Sequence, residues 1–180
     1  MKATVTALAL AAALISVGCG EGRVILNVDV LSFLGPADSV RPYNVPGGVP
    51  TVDSTFSRQF SLPPGFGNSS VDEVAATAAA VLENTAGGGD VTFEVFFAKT
   101  QGALFSGTPY VTAASGPVSG VQTVQLLPPT TVALSDTVFN ASDLWVGIRA
   151  RISTNAGPNM VGQLRLTQIG LQIVLQDKIL

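Results

Sequence analysis

From Leu144 onward the apolar side chains fall on every second residue: Leu144, Val146, Ile148, Ala150 and Ile152, with Trp145, Gly147, Arg149 and Arg151 between them. A period of two belongs to a strand with one buried face, because successive side chains of a strand point to opposite sides. The same period recurs along the chain. Val24, Leu26, Val28 and Val30 share one face, with Asn27 and Asp29 on the other. Phe56, Arg58, Phe60 and Leu62 alternate with Ser57, Gln59 and Ser61 until Pro63-Pro64-Gly65 stops them, and Val91, Phe93, Val95 and Phe97 alternate after a glycine run. Residues 121–127 and 131–134 read as short strands separated by Pro128-Pro129, and 135–142 as a polar turn with one helical turn around Val138-Phe139. The last strand, 163–176, changes phase midway: Leu164 and Leu166 lie on one parity, Ile169, Leu171, Ile173 and Leu175 on the other. Such a shift is what a β-bulge produces, or a strand that leaves one sheet for the other.

Residues 71–84 carry two signals. Ser70 and Glu73 form a capping box, and Val71, Val74, Ala75, Ala78, Val81 and Leu82 fall at helical spacing. Yet Val74, Ala76, Ala78, Ala80 and Leu82 also alternate, and 84–90 suits a hairpin loop into the next strand. We read two paired strands here. The expected fold is therefore all-β, an antiparallel sandwich of immunoglobulin-like or jelly-roll type with about eight strands, becoming α+β if 71–84 is helical. With 19 Gly, 11 Pro and only 12% charged residues, the composition suits strands joined by turns. Residues 35–53, with Pro36, Pro42, Pro46, Pro50 and Gly47-Gly48, read as a long loop whose only aromatic is Tyr43.

The N-terminus has a different character. Met1 and Lys2 give a positive start, residues 3–17 are apolar and Ala-rich, and small residues precede the only cysteine, in Leu14-Ile15-Ser16-Val17-Gly18-Cys19. This is the layout of a secretory signal peptide. It resembles the lipobox of bacterial lipoproteins, with Ser16 where Leu is usual and Ile15 one place further back. The resemblance implies that 1–18 is removed and that Cys19 is acylated, the mature domain (24–180) following a spacer completed by residues 20–23. Membrane lipid would be held through Cys19, and two or three acyl chains suffice for stable anchoring. Gly20 stands where Asp would retain a Gram-negative lipoprotein at the inner membrane, so the resemblance favours the outer one.

The chemistry the chain could perform is narrowed by what it lacks. There is no histidine, which excludes Ser-His-Asp triads and the common zinc sites. Asp72, Glu73, Glu83, Asp90, Glu94, Asp136 and Asp143 supply carboxylates for glycoside hydrolysis, but only Glu94 lies well inside a strand. Asp136 to Asp143 lacks the spacing of a calcium loop. No catalytic residue, metal or cofactor is expected. The formal charge is −3 and the arginines are dispersed, which argues against nucleic acid.

One constellation reads as a ligand surface. Trp145 beside Gly147, Arg149 and Arg151 could stack a sugar ring and bond its hydroxyls, with Tyr43 a further candidate. The opposing expectation is that Trp145 is capped by a neighbouring loop, the arginines pair with Glu94 or Asp143, and Tyr43 anchors its loop. Asn68 and Asn140 head Asn-X-Ser matches suited to exposed loops. Three functions fit: a non-catalytic envelope lipoprotein binding a partner protein or polysaccharide, a carbohydrate-binding lipoprotein, or a surface-fibre subunit. The fibre reading needs a detachable terminal strand. The apolar row 169–175 instead predicts that the last strand is central, beside 24–30.

Overall fold

The structure is a computed structural model describing residues 22–62, 70–127, 131–134 and 137–177. Cys19, Asn68 and Asp136 lie outside the described residues. Eleven strands are described: β1 (Gly22–Asp29), β2 (Val40–Val45), β3 (Val52–Ser61), β4 (Ser70–Ala86), β5 (Gly88–Ala98), β6 (Val111–Ala114), β7 (Val118–Ser119), β8 (Gln122–Leu126), β9 (Thr131–Leu134), β10 (Asp143–Thr154) and β11 (Met160–Asp177). Helical geometry among the described residues is confined to short turns, including Pro36–Ser39, Gln101–Ser106 and Thr137–Asn140, the last around Val138-Phe139 as expected.

All pairings among the described residues are antiparallel and fall into two sheets. One runs β1-β11-β4-β8, with β2 continuing the β1 position along β11 and β9 sharing the β8 side of β4. The other runs β3-β10-β5-β6, with β7 also on β5. Counting β1/β2, β6/β7 and β8/β9 as broken single positions, each sheet is four strands wide. In chain order the positions then pair first with last, second with seventh, third with sixth and fourth with fifth. That folded-over pairing is the jelly roll, which decides between the two sandwich types the sequence left open.

Residues 71–84 are strand throughout. Their alternate residues Val74, Ala76, Ala78, Ala80 and Leu82 are buried, and β4 pairs with β11 along nearly its whole length. Long-range pairing has overridden the helical signal. β4 and β5 do not form the expected hairpin, however. Only Gly87 separates them, at φ +68°, and the chain passes there from one sheet to the other. The phase change in β11 is a bulge at Thr167, where the register to β4 shifts between Leu166 and Gln168.

β11 is central, flanked by β1 and β2 on one side and β4 on the other. Ile169, Leu171, Ile173 and Leu175 are all buried, and burying four such side chains is worth about 6–12 kcal/mol. The segment 35–53 is not all loop. It holds the helical turn Pro36–Ser39 and β2, whose Pro42 is tolerated because β2 pairs only with β11 and has a free edge.

Candidate functional site

The outer face of the second sheet carries the tryptophan and arginines as the alternation requires. Trp145 is only half-buried, packed with Phe105 against Phe96, Ala98 and Leu104. The cover comes from the turn Gln101–Ser106, which Gln101 ties to β3 by a hydrogen bond from Nε2 to Ser57 Oγ at 3.1 Å. Gly147 is not open backbone: a Cβ there would lie 2.9 Å from Phe105 Cε1. Phe105 meets Phe96 edge-on at 5.3 Å, and the Arg149 guanidinium carbon stands 4.7 Å from the Phe96 ring centre. Arg149 Nε donates to Glu94 Oε2 at 2.6 Å, both side chains almost fully covered. Arg151 lies between Asp53 at 3.4 Å and Glu94 at 3.7 Å. Trp145, Arg149 and Arg151 thus share one face, but both arginines are already engaged by carboxylates of the fold itself.

Tyr43 lies apart from them, on β2 in the other sheet. It stands opposite Gly162, where a Cβ would come 2.5 Å from the phenol oxygen. The hydroxyl donates to Asn84 Oδ1 at 2.9 Å, and the buried Asn84 in turn donates to the carbonyls of Gly87 and Gly120 at 3.2 and 2.6 Å. Burial pushes the Tyr43 phenol up to about 12, since ionisation would place charge beside the core. Through Asn84, Tyr43 latches β2 to the corner where the chain changes sheets.

The carboxylates are dispersed in the same way. Asp72 pairs with Arg23, Asp143 accepts from Ser61 Oγ at 2.6 Å, and Glu83 holds Gln163 and Arg165. Those two hydrogen bonds set the Glu83 carboxyl below the usual glutamate range. Among the described residues no group of three or more acidic or other ligating side chains could hold a metal ion.

Two of the concavities among the described residues are of ligand size and open to solvent. The first is a trough over the outer face of the first sheet, floored by Ala75, Thr77 and Gly170 beside the β11 bulge and rimmed by Asn27, Asp29 and Gln172. Some of its polar groups are engaged within the fold: Gln172 donates to Asn27 at 3.2 Å and Thr77 to the Gly170 carbonyl at 3.4 Å, while Asp29, Thr167 and Gln168 also line it. The second, about 640 Å³, opens where β5 ends, between the β5–β6 loop and the turn Thr137–Asn140. Lys99, Ser106, Thr108, Tyr110 and Thr137 line it.

None of these lining residues stands out by pattern or spacing. The one signal in the sequence is that Lys99 is the single lysine between Lys2 and Lys178. The setting of this lysine is visible only in three dimensions. All six arginines are in ion pairs, whereas no carboxylate among the described residues pairs with Lys99.

No family model matches the chain, and no curated protein matches it. Similar solved structures include the infectious bursal disease virus Gx strain, at 12% identity and TM-score 0.40, covering 87% of this chain and 37% of that one. They also include the family 11 carbohydrate-binding module from Clostridium thermocellum in complex with a β-1,3-1,4-mixed-linked tetrasaccharide, at 13% identity and TM-score 0.27, covering 84% of each chain. TmCBM61 in complex with β-1,4-galactotriose is similar at 7% identity and TM-score 0.27, covering 83% of this chain and 89% of that one. The chain spans under two fifths of the length of the viral chains. Likeness at this level carries no function.

Proposed function

We propose that the chain is a non-catalytic β-sandwich module anchored by acylated Cys19 to a bacterial envelope membrane, the outer one where there are two, and that it presents the sandwich to an envelope partner or polysaccharide. The observation that carries this reading is the start of β1. Gly22 already pairs with Asp177, three residues after Cys19, and an extended chain spans about 3.5 Å per residue. The Cys19 backbone can therefore stand no more than about 10 Å from the start of β1.

The absence of histidine and the pairing of Asp72, Glu83, Glu94 and Asp143 with cations or hydroxyls support a binding role over a catalytic one. A carbohydrate site on the Trp145, Arg149 and Arg151 face has less support, because Glu94, Asp53 and Phe105 already occupy that face. A fibre subunit has less still, since β1 pairs with β11 along its whole length and β11 is paired on both sides.

Cys19→Ser tests the anchor. It should move the protein from the membrane fraction to the soluble one and leave the signal peptide unprocessed or cut elsewhere. Mass spectrometry finding a free thiol at Cys19 of the native protein would overturn the reading.

A further inference from the structure

We infer that the cavity where β5 ends binds an acidic sugar, its carboxylate held by Lys99 and its ring laid against Tyr110. The site uses only residues of the folded domain, so it stands or falls separately from the anchoring of Cys19.

The charge of their linings sets these two concavities apart. In the trough over Gly170 the one charged lining residue is Asp29, which repels an anion, and Asn27, Gln172 and Thr77 are already bonded within the fold. In the loop cavity the Lys99 ammonium has no carboxylate partner among the described residues, and the Thr108 and Thr137 hydroxyls have no hydrogen-bond partner among them. Ser106 Oγ donates to the Ala103 carbonyl at 2.8 Å, which leaves its oxygen free to accept. The chain as a whole is acidic, so among the described lining residues it is this local cation that would draw an anion to the cavity.

The chemistry of the lining then selects among anions. One ammonium matches one negative charge. A phosphate dianion is better served by an arginine fork, and no arginine is among the residues lining the cavity. Hydroxyls that both donate and accept suit ligand hydroxyls, which do the same. The Tyr110 ring and Pro109 add an apolar wall. That ring is held edge-on against Phe97 at 5.4 Å and Phe139 at 5.5 Å, so it need not be ordered when a ligand arrives. A carboxylate beside several hydroxyls and a flat C–H face describes a uronate residue of an acidic polysaccharide. The cavity volume, about 640 Å³, is that of a small-ligand site.

The test is titration of the purified protein with β-1,4-linked triglucuronate and with cellotriose, which differ only at C6, followed by amide chemical shifts. Triglucuronate should shift resonances of Lys99, of 106–110 and of Thr137, and cellotriose should bind at least about tenfold more weakly. Lys99→Gln should cost a similar factor without changing the unfolding temperature, because the side chain is exposed and has no carboxylate partner among the described residues. Thr108→Val should weaken binding less. Raising ionic strength should weaken the triglucuronate complex of the native protein and leave Lys99→Gln indifferent. Equal binding of the two trisaccharides, shifts centred on Gly170 instead, tighter binding of inorganic phosphate, or no binding of triglucuronate at millimolar concentration would each overturn the proposal.

Discussion

Where β4 passes into β5, the sandwich is closed by bare backbone: a Cβ on Gly87 would run into Asn159 and Met160, one on Gly89 into Ser153, and one on Gly47 into Gly157. At the opposite end, where β5 runs out at Ala98, the space between the sheets is filled by rings, with Phe97 contacting Phe60, Tyr110 and Phe139 at 5.4–6.5 Å. Backbone contacts have no slack, because neither partner can rotate away. Ring contacts can re-form around a changed neighbour, and they leave openings beside them. The rigid end fixes how the sheets meet, and the ring end carries the cavity and its lysine. A protein that binds at its loops needs both: one end that holds the frame and one that can be rebuilt.

Gly87→Ala puts this difference under the greatest load. The residue sits at φ +68° and its Cβ would penetrate the Asn159–Met160 backbone, so strain and overpacking add. The loss should exceed about 4 kcal/mol, a large part of a domain's usual stability of about 5–15 kcal/mol. Thermal unfolding measures it. A loss below about 1 kcal/mol would mean that the corner yields and that the two ends do not differ in kind.

At the ring end, Phe139→Ala removes a fully buried side chain that touches both Phe97 and Tyr110. The expected cost is about 3–5 kcal/mol, toward the lower figure if the remaining rings close over the gap. Urea unfolding gives the value. Size makes the contrast with Gly87 informative: here a whole aromatic is lost, there a single methyl is gained.

The Tyr43 latch yields a smaller, pH-dependent effect at the rigid end. Tyr43→Phe leaves the buried Asn84 oxygen without its donor, costing about 1–3 kcal/mol near neutral pH. Because burial raises the phenol from 10.0 to about 12, the folded protein holds that proton more tightly than the unfolded chain. The stabilisation is complete below about pH 10 and is lost as pH rises through about 12. Unfolding midpoints across that window should fall more steeply for the native protein than for Tyr43→Phe. Parallel curves would show that the latch is not felt.

How much of the molecule is legible in the sequence follows from the same contrast. The alternation of β1, β5, β10 and β11 is visible because a buried face prints itself on every second residue, and the bulge at Thr167 is visible as a change of parity. β2 is hidden by Pro42 and by polar neighbours that an edge strand tolerates, and β6 and β7 by their brevity. The hairpin expected at 84–90 fails for a physical reason. Asn84 through Asp90 specify a tight turn, but which sheet the next strand joins depends on partners far along the chain, on β10 and β11. For the outer face of β10, the alternation puts Trp145 and the arginines on one side correctly. It cannot show that Glu94 and Phe105 would occupy that side. Lys99 has no pattern to betray it, since lacking a carboxylate partner is a statement about every other charge in the fold.

The smallest expected effect reverses the first with the same chemical change. Gly107 lies in the β5–β6 loop beside the cavity, with φ −95° and ψ −175°, and a Cβ there would meet nothing within 4 Å. Alanine adopts that extended backbone without strain. Gly107→Ala should therefore leave native contacts unchanged and reduce only the freedom of the unfolded chain, stabilising the protein by about 0.4–1 kcal/mol. One methyl group would then remove a large part of the stability at Gly87 and slightly add to it at Gly107, which is the difference between an end built on backbone contact and an end built on loops. Thermal unfolding of the two variants side by side measures it. A Gly107→Ala protein that lost stability would show that the loop depends on a backbone conformation only glycine supplies, and the ring end would have to be counted as rigid too.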